Sequence, residues 1–354
     1  MGIPSGVNFC IYSLFYTLPD VFNHGVWPEV QELTDPELRD LAESLPSIVL
    51  QSKAPATVKK YAGAFSRWKR WANSKPGIVA FPAKPFQLAL YMSFLMKSAR
   101  TSAPVYEAVN SLSWVHTLAV VEDPTDHPLV KQILAGAKRI LAHKTEKKEP
   151  ITAEILQKLY DKFVTADADL PVIRTMTICL LGYAGFFRFS ELASLRECDI
   201  KFYDQHVEVF VESSKTDQFR EGAWVPIARM HSDTCPVSML ERYFQLAEIK
   251  GDADKHLFRG LTKTKEGYKL RAGGGISYTR VRELLLEKLT EVGLDAKLFG
   301  LHSLRSGGAS AAANAGVPDR WFKRHGRWLS ENAKDGYIKD KLEDRLSVTK
   351  NLGL

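Results

Sequence analysis

The chain has 354 residues, 45% of them hydrophobic, enough for two domains with real cores. Its 48 Lys and Arg against 41 Asp and Glu leave a formal net charge of +7, which leans toward an anionic partner. The cysteines Cys10, Cys179, Cys198 and Cys235 form no CxxC pair, which argues against a zinc site or disulfide framework and for a reducing compartment; no stretch is apolar enough to span a bilayer.

Residues 1–50 read as an N-terminal extension. Val7 to Val21 is fairly apolar but holds Asn8, Ser13 and Asp20 and lacks a basic start, so it is a poor signal peptide. Asp35-Pro36 predicts a helix start, with Leu38, Leu41, Ala42 and Leu45 as an apolar stripe and Pro46 as its stop.

Residues 51–143 read as an all-helical module. Thr57 can cap a helix in which Val58, Tyr61, Phe65, Trp68 and Ala72 recur at helical spacing. Lys59, Lys60, Arg67, Lys69 and Arg70 fall mostly off that stripe and make a basic outer face. Further helices are predicted over about 85–96, 106–120 and 129–141, the last ending in Lys138 and Arg139. Short helices with basic surfaces make a compact bundle suited to a polyanion. The polar, charged run His143 to Pro150 is the best linker, more simply solvated than a strap along nucleic acid.

Residues 144–354 form a second domain. Thr152 caps a helix with Ile155, Leu159 and Phe163 as its buried face, and a nearly all-apolar helix over about 172–187 must be central to the core. His206 to Val211 alternates with Val207, Val209 and Val211 on one side. It pairs with Ala223 to Ile227 across the polar turn Ser213 to Gly222, a hairpin. The rest reads as helical: 237–246, 279–292, and a small-residue helix after His302. The fold class is therefore mainly α with a small β-hairpin or sheet.

Breaking a phosphodiester without metal needs a nucleophile, fixed donors for two non-bridging oxygens, and a proton for the leaving alkoxide. Arginine meets phosphate in a bidentate way, and tyrosine becomes a nucleophile where cations favour its phenolate. Arg188 lies among Phe186, Phe187 and Phe189 at the end of the apolar helix, with Glu191 three residues on to brace it. Lys215 lies in the hairpin turn. His302 and Arg305 open the helix rich in Gly307, Gly308, Ala309 and Ala311 to Ala313, whose small side chains allow close packing. Trp328 follows Gly326-Arg327, and Tyr337 follows Asp335-Gly336. Singly, each has a plain explanation: an intrahelical ion pair, a solvated lysine, a capping histidine, an interior tryptophan, a packed tyrosine.

The ordered set is what lacks one. On these segments the chain resembles the tyrosine recombinase and phage integrase family, especially its Cre-like members, over about residues 51–350. The family pattern is Arg, Lys, His-x-x-Arg, His-or-Trp, Tyr. It matches Arg188, Lys215, His302-Ser303-Leu304-Arg305, Trp328 and Tyr337. His325 is an alternative for the fifth position, but its distance from Tyr337 fits less well than that of Trp328.

The resemblance implies a helical core-binding domain over 51–143 and a catalytic domain over 144–354, closed as a C-shaped clamp on double-stranded DNA. It implies that Tyr337 attacks the scissile phosphate to give a 3′-phosphotyrosyl link and a free 5′-hydroxyl. Arg188 and Arg305 would hold the phosphate oxygens, and Lys215 would protonate the leaving oxygen. His302 would assist proton transfer, Trp328 would hydrogen-bond the phosphate, and Glu191 would orient its neighbours. No cofactor is implied. Four protomers would form the synapse, with the tail bearing Leu342, Leu346, Val348 and Leu352 docked on a neighbour. Such a protein works inside the cell, with DNA. Two other activities share the pattern: a domesticated DNA-binding protein that keeps the fold without recombination, and a type IB topoisomerase that only relaxes DNA.

Overall fold

The computed structural model describes residues 18, 21–143, 147–212, 222–251 and 253–353; Lys215, in the stretch 213–221, lies outside them. The chain divides into two compact units, residues 1–145 and 146–354. Among the described residues it is mainly helical with two small antiparallel sheets.

In the first unit, α1 spans Pro36–Leu50, α2 Pro55–Asn73, α3 Pro85–Met96, α4 Ala103–Ala119 and α5 Pro128–Ile140. Each carries a proline in its first two positions, where no intrahelical N–H is lost. So α2 starts at Pro55 behind Ala54, not at a Thr57 cap. Pro46 does not stop α1, which continues to Leu50 without the hydrogen bond that a proline cannot donate. On that helix Ala42 is buried, whereas Leu38, Leu41 and Leu45 are exposed. Phe65, Trp68, Leu88, Met92, Leu112 and Val115 fill the core, joined by Leu18, Val21 and Leu50 from the first 50 residues. Trp27 Nε1 donates to the Leu118 carbonyl at 2.7 Å.

The second unit opens with α6 (Ala153–Phe163), capped by Thr152, and α7 (Leu170–Ala184). α7 is buried on nearly every side and packs against α9 (Pro236–Leu246) and α11 (His302–Asn314). It ends at Ala184, short of Arg188. A turn with Phe186 at φ +47° follows, and Arg188 then caps a separate short helix, α8 (Phe189–Ser194). Arg188 and Glu191 are thus a helix-start pair rather than neighbours within one long helix.

The sheet has the order β1 (Ile200–Phe202), β2 (His206–Val211), β3 (Ala223–Ala228), all antiparallel, with His206 opposite Ala228 and Val211 opposite Ala223. Val207, Val209, Val211, Val225 and Ile227 are its buried face. A second hairpin, β4 (Arg259–Thr264) with β5 (Gly267–Gly275), stands where only helix and loop were expected. A buried ion pair ties it down: Arg259 to Glu197 at 2.6 Å, with Arg174 of α7 donating to the Arg259 carbonyl. Then come α10 (Tyr278–Glu291), α11, α12 (Asp319–Gly326), α13 (Glu331–Asp335) and α14 (Leu342–Lys350).

The glycines of α11 set its depth. A Cβ on Gly307 would stand 1.7 Å from the Ile151 carbonyl oxygen, and one on Gly308 would stand 2.0 Å from that of Tyr183. Only bare backbone lets the helix start sink this far toward the end of α7.

Candidate active site

Four elements bring the chemistry together. Arg188 caps α8, His302 and Arg305 occupy the first turn of α11, Trp328 follows α12, and Tyr337 follows α13. Glu191, 2% exposed, is the hub. Its Oε1 accepts from Arg188 Nη1 at 2.7 Å, and its Oε2 accepts from the Arg188 backbone N–H at 2.9 Å. Oε2 also accepts from Arg327 Nη2 at 2.8 Å and lies 3.9 Å from Arg305 Nη1.

Arg305 is fully buried. Nη1 donates to the Phe186 carbonyl and Nη2 to the Gly326 carbonyl at 2.6 Å, while Nε finds no partner among the described residues. Its guanidinium carbon lies 4.5 Å from the Trp328 ring centre and 4.9 Å from that of Tyr337. The two rings are 5.7 Å apart, packed with Phe186, Ala309 and Phe322. Ser306 Oγ donates to the Tyr337 carbonyl at 2.6 Å, which pins the tyrosine's backbone to α11.

The charge balance suits an anion. Three guanidiniums, those of Arg188, Arg305 and Arg327, share one carboxylate. Burial alone would raise the Glu191 pKa. Arg327, the Arg188 N–H, Arg305 and Arg188 outweigh it and hold the carboxyl below its usual range. Burial lowers the Arg305 pKa, and repulsion from Arg188 adds to that. A guanidinium starts so high that it keeps its proton at neutral pH. The excess positive charge is therefore real, and phosphate oxygens would neutralise it.

The sequence-predicted residues fall out unevenly. Arg188, Glu191, Arg305, Trp328 and Tyr337 converge. His302 lies at the exposed start of α11, one turn from Arg305. Lys215 lies outside the described residues. His325 is turned into the wall: Nε2 bonds the Ala184 carbonyl at 2.7 Å and the ring meets Phe186 edge-on. Trp328, not His325, faces Arg305. Sequence reasoning missed Arg327, since nothing in Gly326-Arg327-Trp328 signals that this arginine points inward. In the other unit Lys59, Lys60, Arg67 and Arg70 are exposed on α2, with Lys69 half-buried and Lys138 and Arg139 exposed at the end of α5. Glu107 partly neutralises this face, bonding Arg67 at 2.5 Å and lying 3.6 Å from Lys60.

No family model matches the chain. An integrase/recombinase XerD homolog of Selenomonas ruminantium is 28% identical over 292 residues, covering 81% of this chain and 82% of its own length. The chain is thus similar in sequence to an integrase/recombinase over most of its length. Solved structures agree on the fold. The XerH site-specific recombinase in its post-cleavage complex with palindromic difH matches with a TM-score of 0.56 at 13% identity, over 99% of this chain and 98% of that one. A lambda integrase dimer on a COC′ core site matches with a TM-score of 0.54 at 14% identity, over 84% and 76%.

Proposed function

We propose that the protein is a site-specific DNA recombinase that cleaves and rejoins strands through a 3′-phosphotyrosyl bond to Tyr337. What supports this most is the gathering of Arg188, Arg305, Trp328 and Tyr337 around Glu191. Two arginines from distant segments share one carboxylate, with the phenol ring packed against one of them.

The Tyr337 oxygen attacks the scissile phosphorus as the P–O5′ bond breaks. The phenolic proton passes by way of His302, and the leaving 5′-oxygen takes a proton from Lys215. Arg188 and Arg305 hold the non-bridging oxygens, where negative charge accumulates. Trp328 Nε1 is buried and has no partner among the described residues, so it is a donor held in reserve for a phosphate oxygen. A 5′-hydroxyl from a second strand then attacks the phosphotyrosyl phosphorus, and the phenol recovers its proton. One phosphate ester replaces another, so the exchange needs neither nucleotide nor metal.

Double-stranded DNA is the partner, met inside the cell. Lys59, Lys60, Arg67, Lys69, Arg70, Lys138 and Arg139 supply phosphate contacts. Four protomers form the synapse. Leu342, Leu346, Val348 and Leu352 of the tail are 43% to 66% exposed. A cavity of about 530 Å³ beside the site, walled by Trp224, Val317, Trp321 and Phe322, receives the tail helix of a second copy.

A nicked suicide duplex tests the reading, built on a site the protein selects from a random DNA library. The expected result is a covalent protein–DNA adduct that vanishes with Tyr337→Phe while DNA binding persists. No adduct at all would leave a DNA-binding protein without this chemistry. An adduct with plasmid relaxation but no recombinant joints would leave a topoisomerase.

A further inference from the structure

Arg327 stands outside the residue pattern, yet it is held as firmly as the arginines within it. Its side chain is 8% exposed. Nη2 donates to Glu191 Oε2 at 2.8 Å and to the Phe186 carbonyl at 3.2 Å. Nη1 donates to the Gly185 carbonyl at 3.2 Å and the His325 carbonyl at 2.8 Å, and the guanidinium lies 5.0 Å over the Phe187 ring. Its backbone has φ +55°, the left-handed region that glycine enters freely and a residue with a Cβ enters only at a cost. An arginine kept where glycine would fit more easily is held there by what its side chain does.

The acceptors show what that is. Glu191 Oε2 is the oxygen nearest Arg305, and the Phe186 carbonyl is the one to which Arg305 Nη1 donates. Arg327 therefore competes with Arg305 for both. With Arg327 bound to Oε2, Arg305 stays 3.9 Å from the carboxylate instead of closing on it. Meanwhile Oε1 remains with Arg188.

We infer that Arg327 is a positioning residue for strand cleavage: by occupying Glu191 Oε2 and the Phe186 carbonyl, it keeps Arg305 from collapsing onto Glu191 and so leaves that guanidinium for phosphate. The inference rests on the recombinase reading. Arg327 itself touches no DNA; it acts through Glu191 on the spacing between Arg188 and Arg305. Without it, the carboxylate swings to Arg305 and one phosphate donor is lost.

Arg327→Gly is the informative variant, because glycine suits the left-handed backbone while the guanidinium is removed together with its aliphatic stem. With the full-length protein on the suicide duplex, three quantities are measured: adduct rate at saturating DNA, DNA affinity and thermal midpoint. The expected result is an adduct rate lower by roughly 10- to 100-fold, the penalty for a misplaced catalytic group, with affinity within about threefold; the midpoint falls, because a buried ion pair is broken, but the protein stays folded at the assay temperature. Guanidinium ion at about 20 mM, far below denaturing levels, should restore part of the rate by refilling the space, whereas sodium or urea at matched concentration should not.

Should Arg327→Gly not fold, Arg327→Lys serves. It keeps the charge but lacks the fork that spans Glu191 and the carbonyls, and a lowered adduct rate with normal binding is again expected. A wild-type adduct rate in either folded variant overturns the inference. So does a rate that falls only in step with affinity and thermal midpoint and ignores guanidinium, which would make Arg327 a packing residue. If the wild-type protein forms no adduct on any selected site, the recombinase reading itself falls, and this inference with it.

Discussion

The guanidinium of Arg305 lies 4.9 Å beneath the ring of Tyr337, and the arginine is fully buried there. The phenol thus covers the cation it is proposed to work with. For a phosphate to reach Arg305 the ring has to swing aside, and the same motion can carry its oxygen toward phosphorus.

Arg188 should be separable from the fold. Glu191 keeps its bond to Arg327 at 2.8 Å when Arg188 is lost. Arg188→Ala should therefore fold, bind DNA within a few-fold of wild type, and form adduct about 100- to 1,000-fold more slowly, the scale for removing an oxyanion donor. Single-turnover cleavage on the suicide duplex measures this; surviving cleavage would show that Arg188 does not hold the phosphate.

Glu191 should make the second unit acid-sensitive. Its folded pKa lies below the 4.5 of a free glutamate. The sign follows from that depression: the carboxylate's contribution is whole above about pH 4.5 and is lost as pH falls through the lower folded value. Glu191→Gln should cost about 3 kcal/mol at neutral pH, since it breaks buried pairs, and should show a shallower stability decline between pH 5 and 3. Denaturant melts of both proteins across that pH range test it; parallel pH curves would contradict the assignment.

Gly307 should tolerate no side chain. An added Cβ would stand 1.7 Å from the Ile151 carbonyl oxygen, and backbone there cannot yield as a flexible side chain would. Gly307→Ala should destabilise by more than about 3 kcal/mol or fail to fold. Gly273→Ala, whose Cβ would meet nothing within 4 Å, is the control and should melt like wild type.

The tail and the groove should fail alike. Leu346→Glu on α14 and Trp321→Glu in the groove should each leave a protein that binds one DNA site but no longer assembles with other copies on paired sites. Analytical ultracentrifugation of protein–DNA mixtures reports the assembly. If only one of the two variants loses it, the helix and the groove are not partners.

The sequence by itself determined the elements whose pattern is local. The alternation of Val207, Val209 and Val211 specifies a half-buried strand, and the stripe from Val58 to Ala72 specifies α2. His302 and Arg305 are legible as one helical turn because three residues of spacing fix their relation wherever the helix goes. The order of Arg188, His302, Arg305, Trp328 and Tyr337 carried the resemblance to the tyrosine recombinases by residue type.

Tertiary structure alone decided what distance along the chain cannot encode. The hairpin of β4 and β5 carries Lys, Thr and Gly on a mostly exposed surface, with no alternation to betray it; its pairing comes from β-ladder bonds and the buried Glu197–Arg259 pair. Arg188 left the apolar helix for a cap of its own because the chain turns at Phe186. Arg327 looked like any arginine after a glycine. Its inward path depends on a left-handed backbone and on a carboxylate 136 positions away, and burial makes that one contact strong enough to hold. A sequence states which charges a protein owns; only the folded chain, by excluding water from around them, decides which charges must answer one another.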